Sequence, residues 1–231
     1  MLEICVDSAA DLTRAIAGGA DRIELCGDLS QGGLTPAADL LAAARHCPVP
    51  VHVMVRPRGG DFIYARDEVD TMAQTIGTLQ GMGFPGVILG AETGGRRLDR
   101  EVLQRLAALA EGMDLTLHRV ADGLPDPVAA VGLARELGFA RILTSGGAET
   151  AVVGRATIAR MRNAANGAVA IMAGGGVRAE SVAPLAALGV TEFHASCRAP
   201  GSAQLDPSLL HALRQAVDGA GLSRASARVS R

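Results

Sequence analysis

Two cysteines, three histidines, two arginines and four carboxylates have the types and spacing to do chemistry: Cys5 and Cys26; His52, His118 and His194; Arg56 and Arg119; Glu3, Asp7, Glu24 and Glu192. Cu(I) is soft and prefers thiolate and thioether ligands, so Cys5 and Cys26 could hold it, with Met54 and His52 as further donors. The same two cysteines, which lack a CxxC spacing, also read as small buried hydrophobes, and the pattern alone does not choose. Asp7, Glu24, His118 and Arg56 form a second set, suited to acid–base catalysis. His118 and Asp7 would serve as acid and base, Glu24 or Cys26 would assist, and Arg56 with Arg119 would clamp an anion bidentately. The three histidines with Glu3, Glu24 or Glu192 make a third set, a divalent-metal site, though no strand carries the His-x-His pair usual in barrel hydrolases.

Two glycine-rich strings add an anion-binding signal. Thr144-Ser145-Gly146-Gly147 and Ala173-Gly174-Gly175-Gly176-Val177 each follow a strand-like run. Glycines let backbone N–H groups approach an anion closely, which nominates Ser145, Gly146, Gly174, Gly175 and Gly176, with Arg119 across the mouth. Tight strand-to-helix turns would use the same glycines. With the acid–base set, these strings describe an isomerase, epimerase or aldol-type lyase acting on a small phosphorylated or carboxylated metabolite. The chain contains no lysine, so a Schiff-base aldolase is excluded. The loop Arg56-Pro57-Arg58-Gly59-Gly60-Asp61-Phe62 reads as a lid with glycine hinges, or equally as a surface loop or subunit contact.

These residues need a scaffold, and the chain repeats one eight times: a short apolar strand, a turn, then an Ala/Leu-rich helix. Strands are expected at 2–6, 22–26, 51–55, 86–89, 115–118, 140–144, 169–172 and 192–195. Helices are expected near 11–17, 37–45, 67–82, 99–112, 127–137, 153–163, 179–188 and 207–217. That alternation argues for parallel βαβ units, and eight of them without a central linker for one α/β domain, a (β/α)8 TIM-type barrel over residues 1–218. A doubly wound open sheet is the alternative. Residues 219–231 read as a flexible C-terminal tail. Side chains alternate across a strand, so Val51, Val53 and Val55 oppose His52, Met54 and Arg56, and Leu2, Ile4 and Val6 oppose Glu3, Cys5 and Asp7. The apolar set must face the helices. The polar set then fills the barrel, where ionisable groups are costly unless they pair, bind water or meet a ligand. Cys5, Asp7, Cys26, Arg56, His118 and Arg119 fall at or beyond strand C-terminal ends, where barrel sites lie.

Composition narrows the partners. Of 231 residues, 48% are hydrophobic but only 2% aromatic, and the net charge is −2. There is no basic footprint and almost no stacking surface, so nucleic acid is excluded as a partner. No apolar run is long enough to span a membrane. The N-terminus lacks a basic start followed by an apolar stretch, and the four cysteines are widely spaced, so a cytoplasmic protein with reduced thiols is expected. A homo-oligomer is compatible with the sequence but has no signal in it.

The strings Met1-Leu2-Glu3-Ile4-Cys5-Val6-Asp7-Ser8, Gly18-Gly19-Ala20-Asp21-Arg22-Ile23-Glu24-Leu25-Cys26 and Val51-His52-Val53-Met54-Val55-Arg56-Pro57-Arg58-Gly59-Gly60-Asp61-Phe62 occur together here. So do His118-Arg119, Thr144-Ser145-Gly146-Gly147, Gly174-Gly175-Gly176-Val177 and Glu192-Phe193-His194-Ala195-Ser196. In this order the chain resembles the CutC proteins from its first residue to about Ser196. Ala173 stands where that family usually has proline before the triple glycine. The resemblance implies a cytoplasmic TIM-type barrel linked to copper homeostasis, with a copper ion as its partner; a small anionic metabolite is the partner on the glycine-loop reading.

Overall fold

The computed structural model describes residues 1–222. Strands β1 (Leu2–Val6), β2 (Arg22–Leu25), β3 (Val51–Met54) and β4 (Gly86–Leu89) lead the chain. A two-stranded antiparallel hairpin follows, β5 (Glu92–Thr93) and β6 (Arg97–Leu98), and then β7 (Asp114–Leu117), β8 (Arg141–Thr144), β9 (Ala170–Ala173) and β10 (Glu192–Ala195). The helices between them are α1 (Ala9–Ala17), α2 (Ala38–Ala44), α3 (Arg66–Gly81), α4 (Arg100–Leu109), α5 (Ala129–Glu136), α6 (Arg155–Ala165), α7 (Ala179–Ala186) and α8 (Pro207–Gly219). Eight parallel strands close in the order β1-β2-β3-β4-β7-β8-β9-β10, and β10 pairs back to β1 with Leu2 opposite Phe193. The α/β barrel expected from the sequence is therefore the fold, and the open sheet is not.

Local signals set the elements. Ser8 caps α1 by accepting from Asp11 N–H at 3.1 Å, and Asp99 caps α4 by accepting from Val102 N–H at 3.0 Å. Gly83 and Gly138 end their helices at φ of +82° and +77°, a conformation that favours glycine. Leu2, Ile4 and Val6 of β1, with Val51 and Val53 of β3, pack outward against helix residues such as Leu12, Ile76 and Leu79. No described helix is long and apolar enough to cross a membrane.

Inside the barrel, the lower half is a closed ion network. Arg22 donates to Glu3 through a short hydrogen bond and to Glu192 at 2.7 Å. Arg141 donates to Glu192 at 3.2 Å, Thr116 at 3.2 Å and Asp114 at 3.1 Å, and lies 3.3 Å from His52 Nδ1. Removing one member of such a network leaves an uncompensated buried charge, at a cost of about 3–5 kcal/mol. Glu3, Glu192 and His52 therefore hold the barrel floor together, and the site must lie above them.

Three features depart from the sequence expectation. The β5–β6 hairpin was not expected; its two-residue strands are too short to show a period. Two 3₁₀ turns, Leu29–Gln31 and Arg119–Gly123, lie in the loops after β2 and β7. At the C-terminus α8 runs to Gly219, the Leu222 side chain packs on the core, and the Leu222 N–H closes the helix end on Val217 O at 3.2 Å. The remainder of the expected tail, 223–231, lies outside the described residues.

Candidate functional site

Above the ion network, at the C-terminal mouth, a cavity of about 300 Å³ is lined by Cys5, Glu24, Met54, Arg56, His118 and Arg119, with Phe62, Gly175, Gly176, Arg178 and His194 completing its wall. The inward parity of β1, β2 and β3 delivers Cys5, Glu24 and Met54, and Cys5 lies opposite Glu24 in the β1–β2 register. Cys5, Cys26, Met54 and Ile88 form an apolar cluster of their own, apart from the main core, with Leu29 packed against it. Gly33 makes room for the sulfur atoms. A Cβ there would lie 3.4 Å from Cys26 Sγ and 3.6 Å from Met54 Cε, and its φ of +88° also favours glycine. The Cys26 thiol donates to Val6 O at 3.5 Å, and burial, with Glu24 nearby, pushes its pKa well above the ordinary thiol value.

Glu24, His194 and Glu3 form a second group. His194 Nδ1 lies 2.8 Å from Glu3 Oε1 and 3.6 Å from Glu24 Oε2. Burial raises the Glu24 carboxyl to about 7; Glu3 adds to the rise, while His194 and Arg22 oppose it. For His194 burial works against the charged ring, but Cys5 and Glu24 outweigh it and the pKa stands well above the ordinary value. Glu3, Glu24 and His194 are the described residues grouped closely enough to share a metal ion. Glu3, however, is already engaged by Arg22. Of the other two histidines, His52 belongs to the ion network and His118 to the opposite wall.

His118 follows β7 and caps the 3₁₀ turn after it. Its Nδ1 accepts the Val120 N–H at 3.1 Å, so the ring proton sits on Nε2, which is buried and has no partner. Burial holds the imidazole neutral, at about 3, and the nearby Arg56 adds to the shift. The ring is fixed by Phe62, 4.5 Å away between centroids, and by Gly90, whose Cβ would fall 2.5 Å from His118 Cε1. Arg56 donates to the carbonyls of Gln31 at 2.7 Å, Gly33 at 3.2 Å and Gly60 at 2.8 Å, with its guanidinium carbon 4.8 Å from the Phe62 ring centre. The Arg56–Phe62 loop is thus tied to the site by the arginine that begins it.

The other residues singled out in the sequence are distributed unevenly. Asp7 is not in the cavity wall: Arg198 holds it through a short hydrogen bond, and it accepts the Leu29 N–H at 3.1 Å. At the β8 loop, Asp122 accepts from Ser145 N–H at 2.9 Å and Gly147 N–H at 3.0 Å, and from the Thr144 and Ser145 hydroxyls at 2.5 and 3.0 Å. The carboxylate of Asp122 thus takes the position an anion would take at that loop, and Gly146 N–H is taken by Thr144 Oγ1 at 2.8 Å. At the β9 loop Gly174 N–H goes to Thr144 O at 2.9 Å, whereas the N–H groups of Gly175 and Gly176 find no acceptor among the described residues. Arg119 reaches across between the two loops, donating to Asp122 at 2.8 Å and Ser145 Oγ at 2.8 Å. Sequence reading missed Asp122, Arg178 and Arg198. The i,i+3 spacing of Arg119 and Asp122 on one turn was the available signal for the first; the other two carried none.

The CutC family model matches residues 1–199. A CutC-family protein of Agrobacterium fabrum is 50% identical over 200 residues, which cover 86% of this chain and 80% of that protein. A human protein named as a copper homeostasis protein cutC homolog is 40% identical over 200 residues, 86% of this chain and 73% of its own. Among solved structures, a CutC protein of Streptococcus agalactiae, also named for copper homeostasis, superposes with a TM-score of 0.79 at 30% identity. It covers 85% of this chain and 98% of that one. With the barrel, the inward sulfur cluster and the cavity above the ion network in place, these matches establish that the chain belongs to the CutC family.

Proposed function

We propose that this protein handles copper in the cytoplasm, taking Cu(I) as cargo on the thiolates of Cys5 and Cys26 with the Met54 thioether as a third donor. The observation that carries the reading is the convergence of three sulfur side chains, from β1, from β3 and from the residue that follows β2, in one cluster at the barrel mouth. Sulfur donors in an apolar setting suit Cu(I) and discriminate against hard cations such as Mg²⁺. The names of the human and Streptococcus agalactiae relatives support the same reading. The four cysteines are free thiols, the state in which a reducing cytoplasm keeps them. Cys5 lines the cavity and gives the ion an entry; Cys26 lies fully buried behind it. A metal ligand must be the thiolate, so binding at Cys26 displaces the proton that burial holds there. Equilibrium dialysis under anaerobic, reducing conditions tests the proposal. One Cu(I) per chain, lost on Cys5→Ser and weakened on Met54→Leu, is the expected outcome; stoichiometry unchanged by Cys5→Ser refutes it.

A further inference from the structure

Four features of the cavity wall have no counterpart in sulfur chemistry. Arg56 is a guanidinium only 5% exposed that donates to backbone carbonyls and pairs with no carboxylate among the described residues. His118, 4% exposed, presents an Nε2–H without an acceptor, and Glu24, 3% exposed, presents an Oε2 that has the His194 ring nitrogen 3.6 Å away but no donor within hydrogen-bond distance. Gly175 and Gly176, in consecutive left-handed conformations at φ of +92° and +67°, leave two N–H groups unused. Buried polar side chains in native proteins are normally satisfied, so the open atoms of Arg56, His118 and Glu24 make the wall complementary to something that enters it, while Gly175 and Gly176 offer their N–H groups from the solvent-facing rim.

The geometry points to a small phosphorylated hydroxy-carbonyl compound as a second ligand of this barrel, with its phosphate at Gly175, Gly176 and Arg119, its carbonyl oxygen at His118 Nε2–H, and its hydroxyl on Glu24. Each assignment follows from the group left open. Successive N–H groups in a tight bend such as that at Gly175–Gly176 can form a concavity that fits anionic oxygens, and loops after the late strands of a barrel are where phosphates sit. Arg119 stands beside that concavity. A Cβ on Gly175 would lie 3.4 Å from Arg119 Nη1, while Nε and Nη2 are already spent on Asp122 and Ser145. His118 accepts from Val120 on Nδ1 and can therefore only donate on Nε2, which selects an acceptor such as a carbonyl. Arg56 supplies positive charge for which the wall holds no carboxylate partner. This site uses neither cysteine thiol and does not depend on the copper reading.

Isothermal titration of the full chain at pH 7.5 tests the inference, with dihydroxyacetone phosphate as the probe and inorganic phosphate and dihydroxyacetone as its two halves. Saturable binding at least about tenfold tighter than either half is expected, since each end makes hydrogen bonds the other cannot. Arg119→Met, at a half-exposed side chain, should weaken the probe and inorganic phosphate by roughly tenfold and leave dihydroxyacetone unchanged. His118→Asn, which keeps an acceptor for Val120 N–H, should weaken the probe by a similar factor and leave inorganic phosphate unchanged. Should His118→Asn fail to fold, Arg119→Met alone carries the test. Cu(I) stoichiometry on both variants should stay at the natural value, which separates this site from the sulfur cluster. Binding of the probe no tighter than inorganic phosphate, or equal binding by Arg119→Met and the natural protein, overturns the inference.

Discussion

His118→Asn offers a quantitative probe of the buried site. The asparagine Oδ1 can take the place of Nδ1 and keep the Val120 N–H bond, while the titrating ring is removed. In the folded protein burial holds the imidazole at about 3, against an ordinary value of 6.5. The sign follows from linkage: the unfolded chain binds a proton below pH 6.5 that the folded chain refuses until about pH 3. The natural protein is thus at full stability from this group above 6.5 and loses it as pH falls through that window. The slope is about 1.4 kcal/mol per pH unit, so at pH 5 the loss is about 2 kcal/mol. His118→Asn lacks this loss. At pH 7.5 it should be less stable than the natural protein by about 1–2 kcal/mol, from lost packing against Phe62. By pH 5 the gap should close or reverse. Urea titrations followed by far-UV circular dichroism suit a chain with no tryptophan and one tyrosine. A gap of equal size at pH 7.5 and pH 5 would show that His118 titrates alike in both states, and the buried neutral donor would be lost from the account.

Asp122→Ala strips the acceptor from the Ser145 and Gly147 N–H groups and should cost about 2–4 kcal/mol; Asp122→Asn, which keeps one acceptor oxygen, should cost less, and denaturant midpoints will rank them. Gly77→Ala, on an exposed turn of α3 with nothing within 4 Å of the new methyl, should stabilise by roughly 0.5–1 kcal/mol. Gly146→Ala, by contrast, would put a methyl 2.4 Å from Gly154 O at φ +73° and should lower the melting temperature markedly. Because binding displaces at least the Cys26 proton, apparent Cu(I) affinity should rise about tenfold per pH unit between pH 6 and 8; a flat profile argues against Cys26 as a ligand.

Most of the scaffold and about half of the site were legible in the chain. Period-two alternation in Val51–Val55 placed His52, Met54 and Arg56 inside the barrel, and the same parity placed Glu3, Cys5, Glu24 and Cys26 there. Arg22 falls inside the expected strand 22–26 on the face of Glu24, and parity could have found it. Arg141 likewise falls inside the expected strand 140–144. Periodicity could not reveal which inward groups cancel one another. Glu3 and Glu192 look equivalent to Glu24 in sequence, yet two arginines neutralise them while Glu24 keeps an open oxygen. Asp7 was placed correctly near a strand end, but Arg198, 191 residues away, fastens it outside the cavity. The glycines of the β8 loop carry the same anion signal as those of β9. Only the fold shows that Asp122 answers the first and leaves two N–H groups of the second open.

The central claim is that the sulfur cluster takes Cu(I), and the most direct measurement is an anaerobic competition titration against a chromogenic Cu(I) chelator, comparing the natural protein with Cys5→Ser and Cys26→Ser. Tight one-to-one binding that falls by at least about a hundredfold in each variant is the predicted result, since each substitution replaces a soft thiolate by a hard hydroxyl. Binding that is weak in the natural protein, or equal in all three, contradicts the account and leaves Cys5 and Cys26 as packing residues of the barrel mouth.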